Sequence, residues 1–111
     1  MAVELVLLSD IPLSDEVMLE TALQVIPDGA AFSYRDGQIT QFADVNAAPV
    51  LTVFEPMVVH EPLEARRLIK DPPVSFGLWT EMTIPFAGSV AGRPLAEAFA
   101  RAVRGSVREK L

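Results

Sequence analysis

The stretch PMVVHEPLEARRL, residues 56–68, holds the single histidine of the chain, His60. An imidazole titrates near neutral pH and can serve as a general base, provided a carboxylate orients it. Glu55, Glu61 and Glu81 are the carboxylates in range if the last two long strand-like runs pair. The plainer reading is a surface histidine where a strand ends and a helix begins. Glu55 and Glu81 each sit inside an apolar run, TVFEPM and LWTEMT. Burial there would raise a carboxyl pKa and suit it to acid–base work. Alternatively each faces water, and the alternation around Glu81, with Thr83 two positions on, places it on the outer face of a sheet. Trp79 falls on the same strand face as Glu81 and Thr83. Together with Phe54 it is a candidate pocket wall or interface contact, since tryptophan is enriched at interfaces; ordinary packing would account for either residue as well.

Other chemistries are poorly supplied. The chain has no cysteine, which excludes a disulfide scaffold, a thiolate zinc site, an iron–sulfur cluster and a cysteine nucleophile. One histidine cannot make a His-rich metal site within one protomer, and the six aspartates are scattered without calcium-loop spacing. No metal or cofactor is expected. The segment PFAGSVAGRP, 85–94, sets Gly88 and Gly92 before a helix with Arg93 following, where an anion could sit at the helix start. It matches neither phosphate-binding glycine motif, and helix-start chemistry explains it. No serine has the Gly-x-Ser-x-Gly context of a hydrolase elbow.

These residues are positioned by a regular alternation of elements. VELVLL, 3–8, reads as a buried strand. Ser14 caps a helix with Asp15 and Glu16 in its first turn; Val17, Met18, Ala22, Leu23 and Val25 or Ile26 form its apolar stripe, and Pro27-Asp28-Gly29 stops it. Asp36-Gly37 predicts a hairpin between strands at about 30–35 and 38–43. A longer strand covers about 50–59, where Pro56 implies an edge position or a late bulge. Pro62 starts a second helix with Ala65, Leu68 and Ile69 as its apolar face, ended by Asp71-Pro72-Pro73. Residues 76–86 alternate as a half-exposed strand, with Phe76, Leu78, Thr80, Met82 and Ile84 on one face and Trp79, Glu81 and Thr83 on the other. Leu95, Phe99, Ala102, Val103 and Val107 then mark a terminal helix through which Gly105 passes.

The order β-α-β-β-β-α-β-α predicts one α+β domain over 1–111, a two-layer sandwich of ferredoxin-like type with a mainly antiparallel sheet and its helices on one face. The other face is left for solvent, a ligand or a second protomer. Half the residues are hydrophobic, a high fraction for a small domain with much surface, so apolar patches must remain exposed and a homodimer is expected. The net charge of −6 argues against a nucleic-acid partner. Residues 93–111 nevertheless carry five cations against two carboxylates, +3, leaving −9 on the other 92 residues. That segment is either a solvated face or a basic patch for an acidic protein partner. No run approaches the roughly 20 apolar residues of a membrane span, and Glu4 interrupts the early apolar run, so a cytoplasmic protein is expected. Arginine over lysine and abundant alanine suggest a GC-rich bacterial genome.

Two functions fit. One is a non-catalytic interaction or regulatory module that self-associates through its sheet. The other is a cofactor-independent enzyme or small-ligand binder of the dimeric ferredoxin-like barrel type, with His60 as base, Glu55 or Glu81 as its partner and Trp79 as a pocket wall. The two diverge on whether His60 and a glutamate converge in an apolar concavity.

Overall fold

The computed structural model describes residues 2–73, 75–85 and 90–111. Its elements run β1 (Val3–Ser9), α1 (Asp15–Val25), β2 (Ala30–Tyr34), β3 (Ile39–Ala43), β4 (Pro49–Phe54), β5 (Met57–Val58), a 3-10 helix (Pro62–Arg67), β6 (Leu78–Ile84), α2 (Gly92–Ala102) and β7 (Ser106–Glu109). All seven strands join one antiparallel sheet in the order β2-β3-β4-β6-β1-β7, with β5 also paired to β6. The protein is an α+β fold, with two α-helices among the described residues.

Local chemistry accounts for most of these elements. Ser14 Oγ accepts from the Val17 N–H at 3.3 Å, and Asp15 and Glu16 occupy the first turn of α1, where the helix dipole favours carboxylates. The hairpin turn sits one residue earlier than the Asp36-Gly37 signal implies. Arg35 and Asp36 are its central pair, at φ 51° and 55°, and the Gly37 N–H closes it on the Tyr34 carbonyl at 3.2 Å. Gly37 follows at φ 89°, a conformation only glycine adopts without strain. At Pro56 the late bulge is present, and the edge position is met as well: pairing with β3 ends at Phe54, and beyond the proline β5 pairs with β6 alone. Between the pairs Val53–Met82 and Met57–Trp79, three residues (Phe54, Glu55, Pro56) stand opposite two (Thr80, Glu81). The bulge divides β4 from β5 and accommodates the proline, which lacks an N–H.

Two helix expectations need correction. The segment after Pro62 forms only a 3-10 helix, and of its expected apolar face Ala65 and Ile69 are buried while Leu68 is exposed. Six residues ending before Asp71-Pro72-Pro73 are too few for an α-helix to repay its nucleation. The terminal helix stops at Ala102 instead of running to 111. Arg104 turns to φ 54°, its N–H reaches the Arg101 carbonyl, and the Gly105 N–H reaches the Ala100 carbonyl at 2.8 Å. These are the two bonds of a Schellman stop. Gly105 itself is needed for close approach: a Cβ there would lie 2.6 Å from the Leu8 carbonyl oxygen. The chain then pairs with β1 as β7, Leu7 opposite Val107.

The two faces of the sheet are covered differently. Leu5, Leu7, Phe42, Leu51, Val53 and Met82 pack beneath α1 and α2 with Leu95, Phe99 and Val103, forming the main core. The Phe42 and Phe99 rings meet at 5.5 Å in a tilted pair, a favourable aromatic geometry. On the opposite face, which the sequence reading left open, Val6, Leu8 and Trp79 pack with Ala65, Ile69 and Phe76 in a second cluster. Phe76 therefore belongs to this second face and not to the Met82 face.

Candidate functional site

The strand register builds the second face row by row. β6 contributes Trp79 and Glu81, opposite Leu8 and Val6 of β1, while β7 sets Ser106 and Arg108 beside the same two residues. Lys110 comes next, its N–H bonded to the Glu4 carbonyl at 3.1 Å and its side chain ion-paired with Glu81. The 3-10 segment folds over one end of this surface. It is pinned there by an Ile69–Lys110 bridge, by the Leu111 N–H to the Leu68 carbonyl at 2.7 Å, and by Arg108 Nε to the Asp71 carbonyl at 3.1 Å.

Between that segment and the sheet lies an open concavity of about 400 Å³. Its floor is Trp79, only 7 % exposed. Its walls are Met57, Val58, Val59, Ala65 and Leu68, and Glu61, Glu64, Glu81 and Lys110 supply the charge. The Glu81–Lys110 pair separates it from a smaller hollow of about 140 Å³ that includes Phe54, Glu4 and Thr83. Volume and lining resemble a small-molecule site: mostly apolar, with a few polar groups at fixed positions.

Of the residues singled out from the sequence, Trp79 and Glu81 are brought together here, and Phe54 lies on the far side of the ion pair. Glu81 is half-buried on the outer face, where the alternation put it, but Lys110 covers it. Glu55 is exposed at the bulge and lines a different concavity, shared with Ser14, Asp15 and Thr40 near the start of α1. His60 is exposed in the turn after β5 and lines neither space. The site thus offers an apolar wall and a fixed carboxylate–ammonium pair, an arrangement suited to recognition. Lys110 was hidden from sequence reasoning by its assignment to a helix. Alternation from Ser106 onward, with Val107 and Glu109 on one side and Arg108 and Lys110 on the other, is the signal that finds it.

The basic terminal segment is partly consumed within the fold. Arg93 lies 3.5 Å from Glu109, Lys110 meets Glu81, and Arg108 caps backbone carbonyls of Asp71 and Val107. Arg101 and Arg104 are exposed. Gly88, part of the considered anion loop, lies outside the described residues. Among the described residues no cluster of three or more metal-ligating side chains occurs, and no helix is long and apolar enough to cross a membrane. Compared with family models, with curated proteins and with solved structures, the chain matches none.

Proposed function

We propose that this chain is a non-catalytic interaction or regulatory module of a bacterial cytoplasm that pairs with a second copy of itself along β2. The observation that carries this is the character of that strand. Every residue of AAFSY is exposed, none is charged, none is proline, and the strand ends the sheet. Such an edge presents unpaired backbone groups as a template for another strand. A two-fold centred on Phe32 sets Phe32 against its twin, Ala30 against Tyr34 and Ala31 against Ser33, so side chains of one face stay together. Phe32 and Tyr34, each 49 % exposed, then meet on the second face. On the first face, Leu19 and Leu23 of α1, 52 % and 62 % exposed, share a small hollow with Ala30 and Ala31 and flank the same edge. An aromatic side chain buries on the order of 150–250 Å² in all, and about half of that is still open on Phe32 and Tyr34, so with Leu19 and Leu23 this border supplies a substantial part of the ~800 Å² per partner typical of a stable dimer.

The ferredoxin-like reading of the fold belongs to the same proposal. Along β4-β6-β1-β7, the strands β1 and β4 run the same way with β6 between them, and α1 and α2 share one face. This supports a split β-α-β plan into which the β2–β3 hairpin has been inserted, widening the sheet toward the open edge. The enzyme reading draws no such support, because His60 and Glu55 stand apart from Glu81 and Trp79.

Light scattering after size exclusion, over a concentration series, tests self-association. A dimer is expected for the native sequence. Phe32→Lys places like charges face to face on the two-fold and should give a folded monomer. A native protein that stays monomeric throughout the series would sink the proposal.

A further inference from the structure

The concavity over Trp79 occupies the half of the second face remote from β2, and self-association through that edge does not use it. We propose that it binds a small amphipathic cation, such as an alkyl or aralkyl amine: the apolar body lies against Trp79, Met57 and Leu68, and the ammonium sits at the mouth beside Glu61 and Glu64.

Three observations lead there. The first is the wall. Exposed Met57, Val58 and Leu68 surround the buried indole of Trp79, so apolar surface is continuous from solvent to floor. Covering it with an apolar body gains on the order of 25 cal/mol for each Å² removed from water. The second is size. About 400 Å³ falls inside the ~300–1,000 Å³ of ordinary small-molecule sites. The third is the charge left over after internal pairing. Three carboxylates and one ammonium line the space, and that ammonium, Lys110, is engaged by Glu81. Arg67, outside the lining, lies 3.7 Å from Glu64 and offsets it in part. Glu61 remains, in a chain of net charge −6. An anionic head would have to take Lys110 away from Glu81 and sit among the three carboxylates of the lining, whereas a cationic head has only to stop at the mouth.

Trp79 is the only tryptophan in the chain, so its emission reports on this site alone. Titration of the full chain with octylammonium, octanol and octanoate at low ionic strength separates wall from head group. The expected result is a saturable shift in Trp79 emission with all three, tightest for octylammonium and about tenfold weaker for octanoate. That preference should shrink as salt is added, because exposed charges are screened over about a Debye length. In the double variant Glu61→Gln, Glu64→Gln, both changes being at exposed positions, the preference should fall to about twofold or less with far-UV circular dichroism unchanged. Leu68→Arg, which sets a cation on the rim, should weaken octylammonium at least fivefold. The Phe32→Lys variant should bind as the native sequence does. Any of four results would overturn the proposal: no saturable response, octanoate as tight as octylammonium, a preference unmoved by the double variant, or binding lost in Phe32→Lys, which would place the ligand at the dimer interface.

Discussion

The strand order β2-β3-β4-β6-β1-β7 ends in β2 and β7, and the two ends are built in opposite ways. At β7 the chain carries Arg108, Glu109 and Lys110 in sequence, and the bridge from Ile69 and the bond from Leu111 to Leu68 continue its pairing into the 3-10 segment. Charges and a covering segment are the usual means of blunting an edge. At β2 neither is present among the described residues: the strand is neutral, exposed and flanked on both faces by half-exposed aromatic and leucine side chains. A chain that guards one border and leaves the other bare treats the two differently. The difference is the strongest argument that β2 meets another strand while β7 ends the sheet.

Three substitutions sharpen or break that contrast. The largest effect is expected in the shared core: Phe99→Ala removes a fully buried ring that packs on Phe42 and should cost roughly 3–5 kcal/mol in urea unfolding. A loss below about 1 kcal/mol would mean α2 does not rest on the sheet as described. Next comes the guarded edge. Gly105→Ala forces a methyl to within 2.6 Å of the Leu8 carbonyl oxygen, a backbone atom that cannot swing aside, so about 1–3 kcal/mol should be lost and β7 should show faster amide exchange. Unchanged exchange there would contradict the close approach of β7 to β1. The smallest change in folding stability is expected at the open edge. Leu23→Lys, on the exposed flank of α1, should leave the monomer within about 0.5 kcal/mol of the native sequence while lowering the dimer fraction in sedimentation. A dimer indifferent to Leu23 would move the partner contact away from α1.

How far the sequence reveals this architecture varies by segment, for physical reasons. The capped start of α1, the hairpin, the bulge at Pro56 and the pleat of β6 were readable because local chemistry decides each of them. The terminal segment was not. Leu95, Phe99, Val103 and Val107 keep helical phase, yet Val107 reaches the core from a strand, because a helix stop at Arg104-Gly105 returns the chain to β1 with the same face inward. Apolar spacing alone cannot separate those two paths; the cost of any side chain at position 105 does, and it becomes visible only once β1 is beside it. The site follows the same division. Alternation put Trp79 and Glu81 on one face, but their neighbours Met57, Leu68 and Lys110 arrive from three segments with no shared pattern. His60 was marked by residue type alone, and type carries no information about where a turn will aim a ring.

The position of β1 has a consequence for how the molecule is made. Its two hydrogen-bonded neighbours come from the far part of the chain, Val3 pairing with Ile84 and Leu5 with Glu109. During synthesis the β2–β3–β4 meander can zip as it emerges, while the most buried strand waits, apolar and unpartnered, for almost the whole chain. Closing such long loops is entropically costly and slow. The neutral β2 edge is exposed throughout that interval, so the strand argued to join two finished copies is also the place where two unfinished ones would first stick.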